Sequence, residues 1–112
     1  MTEREKILID NFDEYFQLGL IAFNEGKHNS ATTLFFKAIV ALCDLFILKK
    51  ESRIPSSHTD RFRTVEEKYP ELYKILDRDF PFYQDSYTKK MDKESAGLLK
   101  DDIGKIKKML GK

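Results

Sequence analysis

The segment of residues 30–50 is apolar almost all the way round a helix, and this constrains the fold more than any other feature. Its apolar positions are 34–36, 38–43 and 45–48. Such a helix belongs at the centre of a bundle or in a subunit interface, because most of its circumference avoids water. Partial exposure of Phe35, Leu42 and Phe46 in the monomer would favour dimerisation.

Lys37 and Asp44 are the charged residues that interrupt this apolar segment. They lie seven residues apart and therefore share a helix face, together with Thr33. We expect this stripe to meet solvent or a cleft. Lys37 and Asp44 are accordingly candidates for ligand contact, with solvated or paired charges as the simpler alternative.

The overall composition is that of an ordinary soluble globular protein. The length of 112 residues predicts a single domain, residues 1–112. The net charge of +1 excludes strong overall attraction to nucleic acid, although a local basic patch is still able to bind phosphate. The single Cys43 excludes a disulfide framework and fits a cytoplasmic location. The N-terminal residues are charged and Lys37 and Asp44 break the longest apolar run, so we expect neither a signal peptide nor a membrane span.

Hydrophobic periodicity is helical throughout the chain, with no sustained alternation of the kind that strands show. Tyr69-Pro70 and Asp79-Phe80-Pro81 predict breaks, because the residue before proline avoids helical geometry. Asn29 or Ser30 is expected to cap the second helix, and Ser56 or Ser57 the third. The predicted helices cover about residues 4–24, 30–50, 57–68, 70–78, 80–92 and 94–110. This pattern predicts an all-α, antiparallel, up-and-down bundle of four to five principal helices.

The span of residues 53–63 holds the densest group of polar side chains that a catalytic or binding site needs. Arg53, His58, Asp60, Arg61 and Arg63 fall within it. A neutral imidazole moves protons near pH 7, and a guanidinium stabilises charge on phosphate oxygens. We therefore take His58 and Arg53 as candidate catalytic residues, and Arg61 and Arg63 as candidate phosphate ligands. The simpler alternative is a helix cap with paired surface charges.

Tyr83 and Tyr87 form a second candidate binding element. They are four residues apart and share a helix face. Beside Arg61 and Arg63, such rings suit stacking on the bases of a single-stranded nucleic acid. Aromatic residues at helical spacing also serve as core or interface, which is the competing interpretation.

Metal and cofactor sites are not predicted. The two histidines are thirty residues apart, and one cysteine with scattered carboxylates matches no zinc or calcium ligand spacing. The five glycines are dispersed and form no phosphate-binding loop. We therefore expect no metal and no cofactor.

Four features together resemble HEPN-domain proteins, closest to the small stand-alone members from archaea and bacteria. They are the short turn at residues 25–31, the stretch 36–44, the polar loop 54–58 and the helix that carries Tyr83 and Tyr87. The resemblance implies a bundle of four or five helices that forms a homodimer. It also implies a partnership with a minimal nucleotidyltransferase, in a two-component or toxin–antitoxin pair, and a nucleotide or RNA ligand.

Active HEPN proteins are metal-independent endoribonucleases that use an arginine and a histidine separated by a short spacer. Arg53 and His58, with four residues between them, match that spacing. Ile54 and Pro55 stand where the family has a polar residue, and the pair falls in a loop. We therefore favour a non-catalytic protein that binds a nucleotide, RNA or partner. The alternatives are an RNase that uses Arg53 and His58, and a structural adaptor resembling a tetratricopeptide hairpin.

Overall fold

Five α-helices make up the fold of residues 1–111, which are the residues that the computed structural model describes. They are α1 (Glu3–Asn24), α2 (His28–Glu51), α3 (His58–Lys68), α4 (Pro70–Asp85) and α5 (Lys93–Met109). Helix α2 packs against α1, α4 and α5, and α3 packs against α4. The prediction of an all-α helical bundle is confirmed.

Helix α2 lies at the centre of the bundle, as its apolar circumference predicts. One cluster of buried side chains contains residues from all five helices. By length and hydropathy α2 is able to cross a membrane, but 72% of its most apolar window is buried inside the protein, as in the core helix of a soluble fold. Phe35 and Leu42 are buried within the monomer, and Phe46 is partly buried. These side chains therefore form core, and they give no support for a subunit interface on α2.

The hairpin of α1 and α2 depends on two glycines. Gly26 has a φ of 76° in the connecting turn, a left-handed conformation that glycine adopts without strain. Gly19 lies where α1 approaches α2, and a Cβ at this position would be 2.7 Å from the Phe35 ring. The absence of a side chain at Gly19 thus lets α1 approach the central helix closely.

The start of α2 differs from the predicted cap. The helix begins at His28, and Lys27 in the cap position makes no side-chain hydrogen bond to it. The Asn29 amide instead donates to the carbonyls of Ser86 and Lys89, and its oxygen accepts the Met91 backbone N–H. Asn29 therefore fastens the α4–α5 loop to α2. Backbone groups of this loop thus bind the Asn29 side chain, which local capping preferences would place at the N-terminus of α2.

The predicted break at Pro81 is wrong, since α4 continues through this residue to Asp85. Proline removes one helical hydrogen bond and crowds the carbonyl four residues earlier, that of Asp77. Both Asp77 and Pro81 are exposed, so water is able to satisfy that carbonyl. Phe80 and Tyr83, one on each side of Pro81, both pack on Phe36 and hold the helix in line.

Candidate functional site

A cavity of about 340 Å³ lies where α1, α2, α4 and the start of α3 meet. We call it the His58 cavity. Its lining residues are Tyr15, Phe36, Lys37, Val40, Pro55, Ser56, Ser57, His58, Arg61 and Tyr83. Four of the predicted site residues, Lys37, His58, Arg61 and Tyr83, are thus brought together from three separate helices.

The loop between α2 and α3 places His58 at the edge of this cavity. Helix α2 ends at Glu51, and the φ of 59° at the following Ser52 turns the chain away from the helix axis. Pro55 is buried, and the Ser57 hydroxyl accepts the Asp60 N–H at 3.1 Å, which starts α3 at His58. The predicted serine cap is therefore confirmed at Ser57. Because the helix begins at residue 58, His58 and Arg61 lie one turn apart on the same face.

Arg61 and Asp44 form a buried, bidentate ion pair behind the cavity wall. Arg61 Nε donates to Asp44 Oδ1 at 2.7 Å, and Arg61 Nη2 donates to Asp44 Oδ2 at 2.9 Å. Only 8% of Arg61 and 6% of Asp44 are exposed. Asp44 is therefore a partner that orients Arg61, and both of its oxygens are occupied by that role.

His58 is fixed by the same guanidinium. Arg61 Nη1 lies 2.8 Å from His58 Nδ1. Because a guanidinium has only donors, Nδ1 must accept, and the ring proton of the neutral imidazole must reside on Nε2. Burial, and then the charge of Arg61, lower the pKa of His58 below its ordinary value. His58 is thus held as a neutral N–H donor, with its ring 6.1 Å from that of Phe80.

Aromatic rings and one lysine complete the cavity. Tyr83 stacks on Phe36 with ring centroids 4.8 Å apart, and Tyr15 from α1 contributes to the lining. The Tyr83 hydroxyl lies 2.9 Å from that of Tyr87, which is 73% exposed. Lys37 is an exposed residue of α2 that also lines the cavity. Tyr87 accordingly extends the aromatic surface outward from Tyr83.

Arg53 and Arg63, by contrast, are not among the residues that line the cavity. The Arg53 guanidinium donates to Glu51, to Asp60 Oδ2 at 3.0 Å and to the Thr64 hydroxyl at 2.6 Å. These contacts brace the α2–α3 loop. Arg63 is exposed on α3. Of the two histidine–arginine pairs that the sequence offers, the contact in the structure is between His58 and Arg61.

Several residues of the cavity are not identifiable as site residues from the sequence. Tyr15, Phe36 and Val40 follow the apolar spacing of their helices and are indistinguishable there from core. The only available signal is the position of Lys37, which marks the face of α2 that the cavity uses. The aromatic wall is therefore a consequence of how α1 and α4 approach α2.

A second buried polar cluster joins α4 to α5, and local sequence patterns do not predict it. Arg78 Nη2 donates to both oxygens of Asp102 at 2.7 Å, and Arg78 Nε lies 3.5 Å from Asp79 Oδ1. Asp79 and Asp102 are both fully buried. Burial, followed by the neighbouring Asp102, raises the pKa of Asp79 to about 8. At neutral pH the Asp79 carboxyl thus keeps its proton, which removes one negative charge from this buried cluster.

The described residues, 1–111, contain no cluster of histidine, cysteine and carboxylate side chains able to hold a metal ion. No aspartate or glutamate lines the His58 cavity. Its charged and imidazole groups, Lys37, Arg61 and His58, present N–H donors, and its walls are partly aromatic. This arrangement suits an anionic ligand that also carries a flat ring.

Comparisons with family models, with curated proteins and with solved structures gave no significant match. The function of the chain is therefore argued from its own residues.

Proposed function

We propose that this chain is a HEPN-like, non-catalytic protein that binds a nucleotide or RNA in the His58 cavity. We propose further that it acts as one component of a pair with a minimal nucleotidyltransferase. The observation that carries the ligand proposal is the contact from Arg61 Nη1 to His58 Nδ1. This contact leaves Nε2–H as the donor of an imidazole that lines the cavity.

The chemistry of the lining supports phosphate as the ligand group. Lys37 supplies positive charge, Arg61 supplies N–H donors with its charge balanced by Asp44, and His58 supplies a neutral N–H, while no carboxylate lines the cavity. Phosphate oxygens accept several such hydrogen bonds at once. Tyr15 and Tyr83 also line the cavity, and aromatic rings of this kind stack on nucleic-acid bases.

The same contact argues against acid–base cleavage. A general base needs a free lone pair, yet the Nδ1 lone pair of His58 accepts from Arg61 and Nε2 bears the proton. A second proton on the ring would place an N–H against the Arg61 N–H. Arg53, the other member of the RNase spacing, is engaged by Asp60 and Thr64. These contacts favour binding over cleavage.

A calorimetric titration with adenosine 5′-monophosphate and with a short single-stranded RNA tests the binding proposal. We expect Lys37→Gln to weaken binding by about tenfold, the effect of one charge-assisted hydrogen bond. Lys49→Gln is the matched control, because Lys49 is exposed on the same helix and outside the cavity. Absence of binding to the unaltered protein at low salt, or equal losses in both variants, would contradict the proposal.

The RNase alternative is tested separately with RNA incubated in EDTA. We expect identical, uncut RNA with the unaltered protein, with His58→Ala and with Arg53→Gln. Cleavage that disappears in His58→Ala would overturn the non-catalytic proposal and establish a metal-independent nuclease.

The homodimer implied by the resemblance is also a proposal. In support, α1 exposes about half of Ile7, Leu18 and Ile21. Light scattering is expected to give twice the chain mass, and a monomer mass for the double variant Leu18→Glu, Ile21→Glu. A monomeric mass for the unaltered protein would contradict it. A minimal nucleotidyltransferase encoded next to this chain, and its co-purification, would support the paired system.

A further inference from the structure

The lining of the His58 cavity contains several N–H donors that a phosphate group is able to use. A guanidinium has five N–H groups, of which Arg61 uses two on Asp44 and one on His58, so that two stay available. The Lys37 ammonium brings three more N–H groups, and His58 brings its Nε2–H. Arg61 is more than nine-tenths buried, so its direction is fixed by the fold.

A phosphate monoester matches this donor set better than a diester does. The monoester has three terminal oxygens and carries a charge of about −1.5 to −2 at neutral pH. A diester keeps only two such oxygens, carries a single negative charge and has a second substituent to accommodate. The cavity volume of about 340 Å³ is near the lower end of the range for small-molecule sites, which is about 300–1,000 Å³. The cavity is therefore of a size for one terminal nucleotide.

One serine hydroxyl at the start of α3 adds a further donor for phosphate. The Ser57 hydroxyl oxygen accepts the Asp60 N–H, which leaves its own O–H free to donate to a ligand. The Ser56 hydroxyl is directed to Asp60 Oδ2 at 3.3 Å. The Ser57 donor thus lies beside His58 on the cavity wall.

From these observations we propose that the His58 cavity selects a terminal phosphate monoester, on a free mononucleotide or on a phosphorylated RNA end, over an internal phosphodiester. This proposal rests on the binding function proposed above and specifies its ligand. Lys37 is the principal specificity residue, because its ammonium is the charge in the lining that Asp44 does not balance. Arg61 and His58 position the phosphate.

The test compares one RNA hexamer in three forms: with a 5′-phosphate, with a 3′-phosphate and with hydroxyls at both ends. Adenosine 5′-monophosphate and cyclic adenosine monophosphate are titrated beside them as a monoester and a diester of the same base. We expect at least one phosphorylated hexamer to bind about tenfold more tightly than the hydroxyl form. Adenosine 5′-monophosphate is expected to exceed the cyclic nucleotide by a similar factor. Preference for the mononucleotide alone would identify a free nucleotide as the source of the monoester.

Two variants and one pH series make the result specific to this site. Lys37→Gln is expected to abolish the preference for monoesters, whereas Lys49→Gln retains it. Affinity for adenosine 5′-monophosphate is expected to fall as the pH drops through about 6, where the monoester loses its second charge. Equal binding of all three hexamers, weakened alike by Lys37→Gln, would overturn the monoester proposal and leave the proposed function standing. Failure of every ligand to bind would overturn both.

Discussion

Arg61 is the residue on which the geometry of the His58 cavity depends. It is anchored by Asp44 on one side and donates to His58 on the other. Breaking an ion pair this deeply buried destabilises the fold, because either charge left alone is costly to bury. The pair therefore fixes the position and the tautomer of His58 more than it adds net stability.

Removal of Asp44 is expected to destabilise the protein by about 3–5 kcal/mol, because Arg61 is left buried without its partner. The change is Asp44→Leu, measured by urea unfolding. The double variant Asp44→Leu, Arg61→Met is expected to recover most of that loss, because both charges are gone. A double variant as unstable as the sum of the single changes would show that the two residues act independently.

The tautomer of His58 is open to direct measurement. At pH 7 we expect nitrogen chemical shifts of a neutral imidazole with its proton on Nε2, because Arg61 donates to Nδ1. The lowered pKa predicts that the ring protonates only below the ordinary range for histidine. A His58→Gln sample assigns the signals. An imidazolium at pH 7, or a proton on Nδ1, would contradict the described contact.

At the scale of the elements, α1 and α2 form the most extensive helix–helix contact among the described residues. Their approach depends on Gly19, opposite the fully buried Phe35 ring. The exposed Gly104 of α5 offers a contrast, since a Cβ there meets nothing within 4 Å. The two glycines therefore differ in packing while both lie inside helices.

Alanine at these two positions is expected to change stability in opposite directions. Gly19→Ala forces the Phe35 ring to move and is expected to cost about 1–3 kcal/mol. Gly104→Ala is expected to add about 0.5–1 kcal/mol, because alanine favours the helix and has room. Thermal or urea unfolding measures both. Stabilisation by Gly19→Ala would mean that α1 and α2 are farther apart than described.

At the scale of the whole molecule, the buried carboxyls between α4 and α5 link stability to pH. Arg78 neutralises Asp102, and Asp79 stays protonated beside them. Lys105 also lies 3.5 Å from Asp102. Burial, followed by the charge of Asp44, raises the pKa of the Cys43 thiol of α2. Burial likewise disfavours a second carboxylate charge at Asp79, although two cations lie close to Asp102.

Stability is therefore expected to fall as the pH rises from about 4 toward 8. The unfolded chain releases the Asp79 proton near pH 4, while the folded protein holds it until about pH 8, so rising pH favours unfolding. At about 1.4 kcal/mol per pKa unit, the total effect is several kcal/mol. Urea unfolding across this pH range measures it.

Asp79→Asn is the informative variant, because an amide imitates the protonated carboxyl and has no proton to lose. Its stability is expected to be flatter between pH 5 and pH 8 than that of the unaltered protein. Asp77→Asn, at an exposed position of the same helix, is the control and is expected to leave the slope unchanged. A slope that persists in Asp79→Asn would place the pH dependence elsewhere.

The sequence is sufficient to predict helical periodicity, the central place of α2, a serine cap on α3 and the short turn between α1 and α2. These features follow from local backbone preferences and from apolar spacing, which are properties of neighbours along the chain. The continuation of α4 through Pro81 and the use of Asn29 on the α4–α5 loop are not predictable in this way. In both cases contacts with distant residues outweigh a local preference.

The same distinction holds for the His58 cavity. The sequence by itself identified residues 53–63 and Lys37 as candidates for ligand contact, because these are residue types that are able to bind phosphate. Only the tertiary structure decided that Arg61 rather than Arg53 contacts His58, and that Asp44 orients it. The reason is that Asp44 and Arg61 are seventeen residues apart on different helices, and burial alone makes their pairing obligatory.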